Sequence, residues 1–214
     1  MNASDKANGN TSTAELPPKE EGRLVLAFGD SLYAGYGLDP QQSFPAQLEK
    51  SLRSRGIATT VHNAGVSGDT SAAGLARLRF TLDGLPRKPD LALVGLGGND
   101  MLRGLDPSTT QKNLLAICEE LRRRGVPVVL TGMLAAPNLG ADYVRRFNGL
   151  FPTVAAECDA TLYPFFLQDV ITNGALMLPD RVHPNGTGIA RIVEKVEPLI
   201  ARELKRTPAS TPAP

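Results

Sequence analysis

Apolar residues follow two rhythms along this chain: short unbroken runs, and longer stretches where they recur every three or four positions. The first run lies inside LVLAFGDSLYAGY and stops at Gly29-Asp30-Ser31. It reads as a buried strand over residues 23–28 that delivers a serine to a helix N-terminus. Ser43 then caps a helix with Phe44, Leu48 and Leu52 on one face. Residues 59–63 form a short second strand, and a helix after Gly68-Asp69-Thr70 carries Leu75, Leu78 and Leu82. The link LPRKPD leads into a third strand, LALVGL. Ser108 and Gln111 have capping-box spacing ahead of a helix bearing Leu114, Leu115, Cys118 and Leu121. VPVVLTG is the fourth strand.

A helix over about residues 142–157 turns Phe147, Leu150 or Phe151, and Val154 inward, and residues 161–163 form a fifth strand. Gly186-Thr187 opens a last helix with Ile189, Ile192, Val193 and Val196, which Pro198 ends or kinks. Strands alternating with helices of this size imply an α/β fold, a parallel five-stranded sheet covered on both faces. Residues 1–22 and 207–214 are polar, proline-containing and aperiodic, and are expected to be tails flanking one domain at 23–206. A 214-residue chain suits that single domain.

A formal net charge of +1 provides no general attraction to nucleic acid or to an anionic membrane surface. The arginine clusters Arg53-Ser54-Arg55-Gly56 and Arg122-Arg123-Arg124-Gly125 read as helix ends, with cations in the last turn before a glycine cap. Cys118 and Cys158 lack CxxC spacing and a nearby histidine, so a free, buried pair is expected rather than a disulfide or metal site. No apolar run reaches the ~18 residues of a membrane span, and the first 21 residues lack the apolar core of a secretory signal. The expectation is a soluble protein, cytoplasmic as the chain stands, with export after signal removal as the rival and oligomeric state open.

Four polar motifs lie at strand ends: Gly29-Asp30-Ser31, Gly65-Val66-Ser67-Gly68-Asp69, Gly97-Gly98-Asn99-Asp100, and Asp180-Arg181-Val182-His183-Pro184 before the last helix. In a parallel sheet all carboxyl ends lie together, so these motifs converge on one crevice. Gly-Asp-Ser alone is the kind of tripeptide that makes a turn or a cap. A serine nucleophile needs a base, and His62 and His183 are the only histidines. His62 lies within a strand, where a satisfied structural histidine is the usual state. His183 lies in a loop three residues beyond Asp180, so a turn brings the carboxylate to one ring nitrogen and leaves the other for Ser31. The competing account is that Asp180 and Asn185 merely make turn hydrogen bonds beside a solvated His183.

Together these blocks resemble the SGNH, or GDSL, hydrolase family in its thioesterase I/lysophospholipase/arylesterase branch. The likeness rests on GDSLYAGYGL, the following SFP, NAGVSGDTSAAGLARL, GGNDMLRG, YPFFL and DRVHPNGTG, in that order, within a span of about residues 24–204. The resemblance implies a flavodoxin-like three-layer α/β/α fold, Ser31 as nucleophile, Asp180 and His183 completing a triad, and Gly68 and Asn99 as oxyanion donors. Those roles suit the residue types: Gly68 lets its backbone approach a substrate, Asn99 offers an amide N–H₂, and the Ser31 amide is a third donor. Gly97 and Gly98 either make room for that approach or form a plain tight turn. Asp30, Asp69 and Asp100 are read as structural support.

The implied activity is hydrolysis of carboxylic esters or thioesters without metal or cofactor. The implied substrates are aryl and short-to-medium acyl esters, lysophospholipids and acyl-CoA, with segment 134–143 lining the acyl side. A carbohydrate O-deacetylase is the alternative within the family. A noncatalytic flavodoxin-like binding module is the alternative outside it, although no GxGxxG or GxxxxGK[ST] follows a strand.

Overall fold

A computed structural model describes residues 22–207, so nearly all of both expected tails lies outside the described residues. Five parallel strands form one sheet: β1 (Arg23–Gly29), β2 (Thr59–Gly65), β3 (Leu91–Gly95), β4 (Val128–Thr131) and β5 (Thr161–Tyr163). Their order is β2-β1-β3-β4-β5. The helices are α1 (Ser31–Ala34), α2 (Phe44–Ser54), α3 (Ser71–Asp83), α4 (Gly98–Leu102), α5 (Pro107–Arg123), α6 (Ala141–Cys158) and α7 (Gly186–Arg206).

This order follows from the chain's direction along the sheet. After β1 it steps outward to β2, then returns past β1 to β3 and continues to β4 and β5. Because parallel crossovers are right-handed, reversing direction puts the connecting helices on opposite faces. Accordingly α2 packs on α7, while α3, α5 and α6 pack in succession on one another. The central strands are apolar beyond Arg23, with Val25, Leu26, Ala27, Phe28, Ala92, Leu93 and Val94 fully buried between the two helical layers. Edge strand β2 is half-exposed, burying Thr59, Val61 and Ala64 and exposing Thr60, His62 and Asn63. His62 is therefore a surface residue and not a satisfied core histidine.

The expected helix faces hold, with informative exceptions. Phe44, Leu48 and Leu52 are buried, and Leu150 and Phe151 both point inward with Phe147 and Val154. On α3 the sheet meets Gly74, where a Cβ would overlap Leu96, and Leu75 is only half-buried. The capping-box reading at Ser108 is corrected. Asp106 is the cap, accepting from the Ser108 N–H at 2.8 Å, and Pro107 opens α5. Asp-Pro is the stronger start signal because the proline ring presets φ and its missing N–H costs nothing there. Pro198 does not end α7, which continues to Arg206. Ile189, Ile192, Val193, Val196, Ile200 and Leu204 keep one face buried on both sides of it, and this packing outweighs the roughly 3 kcal/mol cost of an internal proline. Cys118 is buried and Cys158 half-buried, both free.

The carboxyl edge of the sheet is shaped by three glycines. Gly65, Gly29 and Gly95 end their strands in one register row. A Cβ at Gly65 would overlap the Ala34 nitrogen, and at Gly29 or Gly95 it would stand 2.6 Å from the Tyr33 ring. The row thus lets α1 lie directly on the strand ends, with the buried Tyr33 hydroxyl 2.9 Å from Thr131 Oγ1.

Candidate active site

The order of strands reverses between β1 and β3, and ligands of open α/β sheets bind in the crevice outside such a switch point. Ser31 follows β1 and Asn99 follows β3, so both lie at this opening. Asp30 holds the turn: its Oδ1 accepts from the Leu32 N–H at 3.0 Å, capping the single turn of α1. Ser31 is the first residue of that turn, and its own N–H has no intrahelical acceptor.

His183 arrives from the loop before α7. Its Nε2 lies 2.8 Å from Ser31 Oγ, and its Nδ1 lies 2.7 Å from Asp180 Oδ2. The other carboxylate oxygen of Asp180 accepts from the backbone N–H groups of Val182, at 2.9 Å, and His183, at 3.0 Å. The turn bonds and the bond to the imidazole are therefore made by the same carboxylate. The His183 N–H, the imidazole bond and the Val182 N–H, in that order, pull the Asp180 carboxyl down to about 2. It is ionised at neutral pH and accepts from His183 Nδ1–H, so the ring is oriented with Nε2 toward Ser31.

Gly68 and Asn99 complete the constellation drawn from the sequence. Gly68 has φ +86°, a left-handed conformation that suits glycine, and its N–H makes no hydrogen bond among the described residues. Asn99 Nδ2 donates to the Asp69 carbonyl at 3.0 Å and to Asp30 Oδ2 at a long 3.4 Å. Asp30 is almost fully buried, and burial pushes its carboxyl up to about 6 against the lowering effect of the Leu32 N–H.

The remaining carboxylates brace the loops. Asp100 is buried, accepting from the Ser71 N–H at 2.8 Å, the Ser71 hydroxyl at 2.5 Å and the Thr110 hydroxyl at 3.1 Å. Asp69 pairs with Arg77 at 2.6 Å. Arg77 also donates to the Gly29 carbonyl at 3.0 Å and lies 4.2 Å over the Phe28 ring. Ser67, in the loop after β2, is exposed. Among the described residues no group of three or more His, Cys, Asp or Glu forms a candidate metal site.

A model of the GDSL-like lipase/acylhydrolase family matches residues 27–191, a span that contains all five of these positions. The chain belongs to this family. Esterase TesA of Pseudomonas aeruginosa is 39% identical over 185 residues, covering 86% of this chain and 91% of that protein. The arylesterase of Vibrio mimicus is 37% identical over 180 residues, covering 84% and 89%. The crystal structure of AlinE4, an SGNH-hydrolase family esterase, is 52% identical with a TM-score of 0.75, over 89% of this chain and all of that one. This GDSL-family chain is a serine esterase with the α/β fold expected of it.

Three contributors to the site were not singled out from the sequence. Arg77 lies on the partly exposed side of helix α3, eight residues after its partner Asp69. Arg103 donates to the Gly68 carbonyl at 2.8 Å and ties the second loop to the third. Tyr36 places its ring 4.5 Å from the His183 ring. It was inside the opening motif, but nothing in one-dimensional spacing indicates that residues 36 and 183 meet.

Proposed function

We propose that this esterase hydrolyses carboxylic esters or thioesters through an acyl-enzyme on Ser31, with His183 as general base and acid and Asp180 as its orienting carboxylate. The observation that carries this reading is the pair of hydrogen bonds through His183, 2.8 Å to Ser31 and 2.7 Å to Asp180. Ser31 Oγ attacks the acyl carbon while its proton passes to His183 Nε2. The carbonyl oxygen becomes an anion received by the N–H groups of Ser31 and Gly68 and by Asn99 Nδ2, whose long bond to Asp30 is the one displaced. His183 then protonates the departing alcohol or thiol. A water, deprotonated by the same nitrogen, attacks the acyl-enzyme, and His183 returns that proton to Ser31 Oγ as the Ser31–acyl bond breaks and the acid leaves. These steps need no metal or cofactor.

The substrate reading is aryl and short-to-medium acyl esters, extending to lysophospholipids and acyl-CoA. It draws on the arylesterase and the thioesterase 1/protease 1/lysophospholipase L1 of Escherichia coli, the latter 38% identical over 161 residues. Segment 134–143, which follows β4 on the same edge and exposes Leu134 and Leu139, supports an acyl-side wall there. A fluorophosphonate is expected to label the protein at Ser31, with labelling lost in Ser31→Ala. Hydrolysis of p-nitrophenyl esters from acetyl to palmitoyl, beside an acetylated sugar, is expected to favour the simple esters. Absence of labelling in folded protein would favour a binding module, and preference for the sugar would favour the O-deacetylase.

A further inference from the structure

The turn that presents Ser31 also presents an aromatic ring. Gly35, at φ +84°, closes α1, and the N–H groups of both Gly35 and Tyr36 reach the Ser31 carbonyl at 3.2 Å. Tyr36 is thereby fixed relative to the serine by main-chain bonds. Its side chain is not core: the residue is 52% exposed, whereas Tyr33, three positions earlier, is buried. What the Tyr36 ring does meet is the imidazole of His183, with centroids 4.5 Å apart and planes inclined by 34°. The His183 side chain is 17% exposed, while its orienting Asp180 side chain is 38% exposed.

We propose that Tyr36 is a positioning residue for acyl transfer, its ring covering one face of His183 and stabilising the imidazolium formed when the histidine takes the Ser31 proton. The face of an aromatic ring is negative and attracts a cation within about 6 Å of its centroid. Neutral imidazole gains little from it. The protonated ring gains more, so the contribution appears as the proton moves and acts on the transition state rather than on the resting enzyme. The other charged or titratable groups the structure sets against the imidazole are Asp180 on its own loop and Ser31 and Asp30 at the start of α1. All three are unchanged by substitutions at Tyr36. The proposal rests on the reading of Ser31 and His183 given above.

The test compares wild type, Tyr36→Phe and Tyr36→Leu. The readouts are the second-order rate of fluorophosphonate labelling at Ser31 as a function of pH, kcat and KM on one p-nitrophenyl ester, and thermal stability. A cation–π contact at an exposed site corresponds to about a two- to fivefold effect. Tyr36→Leu is expected to label two- to fivefold more slowly on the pH plateau, with its acid limb moved to lower pH by roughly 0.3 to 0.7 unit. The limb moves down because a histidine that has lost a stabiliser of its charged form gives up its proton more readily. Tyr36→Phe keeps the ring face and is expected to match wild type within about twofold. An unmoved limb in Tyr36→Leu, a leucine-like profile in Tyr36→Phe, or a change confined to KM or melting temperature would each overturn this role alone. Labelling that persists in Ser31→Ala would overturn the Ser31 reading with it.

Discussion

Ser31 Oγ and His183 Nε2 lie 2.8 Å apart although 152 positions separate them in the chain. Two different devices produce that contact: the glycine row that seats α1 on the strand ends, and the Asp180 carboxylate that holds the His183 loop through two main-chain N–H groups. The serine itself contributes little to the core. Ser31→Ala is therefore expected to leave melting temperature near wild type while lowering kcat by ~10⁴-fold or more, the effect of deleting a triad nucleophile. Steady-state kinetics and a thermal melt on the same preparation check this. Turnover near wild type would move the nucleophile elsewhere, with Ser67 as the next serine to replace.

Only neutral imidazole accepts a proton, so activity is expected to rise with pH as His183 deprotonates. His62 is exposed on edge strand β2, away from this contact, and His62→Gln is expected to reproduce the wild-type profile. If His62→Gln removed the acid limb together with most activity, the assignment of the base to His183 would be wrong.

Gly65→Ala tests the seating of α1. The added methyl would overlap the Ala34 backbone nitrogen, which cannot yield as a flexible side chain can. An expected loss of about 1 to 3 kcal/mol, the usual cost of overpacking, accompanies displacement of α1 and hence of Ser31. Denaturant unfolding and kcat should fall together. A variant with full stability and full activity would show that the close approach is dispensable.

Much of this architecture is legible in one dimension because strand and helix leave different periods. The bounds of β5 follow from its sequence, and the faces carrying Phe44, Leu48 and Leu52 or Phe147 and Val154 show in the spacing, since a buried face needs apolar residues at fixed intervals. Local spacing is ambiguous where two signals compete, as at Asp106 against Ser108, and tertiary packing overrides a local rule at Pro198. Ser31, Gly68 and Asn99 are legible as convergent, because loops at the carboxyl ends of parallel strands must meet, whereas residues 180–184 lie well beyond β5, before α7, and their arrival at the site does not follow from strand order. The contacts of Arg77 with Gly29 and of Tyr36 with His183 are side-chain matters across separate loops, for which spacing carries no signal.

Asn99→Ala is expected to depress kcat by about 10² to 10³ with little change in KM, the range for loss of one oxyanion donor while others remain. The carbonyl oxygen becomes anionic only as Ser31 attacks, so such a donor acts mainly in the transition state. Asn99 also bonds to the Asp69 carbonyl, which predicts some loss of loop stability. If alanine lowered the melting temperature and left kcat per folded molecule near normal, Asn99 would be a brace for the loop and not a donor to substrate.

Asp30 links the same turn to pH. Its carboxyl, raised by burial to about 6 from an ordinary 3.8, binds its proton more tightly folded than unfolded. Its contribution to stability is thus complete below 3.8 and declines as pH rises through about 6, by roughly 3 kcal/mol at most. Asp180 acts in the opposite direction and in a lower window. Depressed to about 2, it stabilises the fold above 3.8 and loses that effect as pH falls through 2. Asp30→Asn keeps an oxygen for the Leu32 N–H and removes the ionisation. Unfolding free energies of wild type and Asp30→Asn between about pH 4 and pH 7 are therefore expected to diverge, wild type losing stability relative to the variant as pH rises. Parallel curves would mean that Asp30 does not change its proton affinity on folding, and the buried carboxyl beside Ser31 would then have to be stabilised in its ionised form by more than the Leu32 and Asn99 bonds.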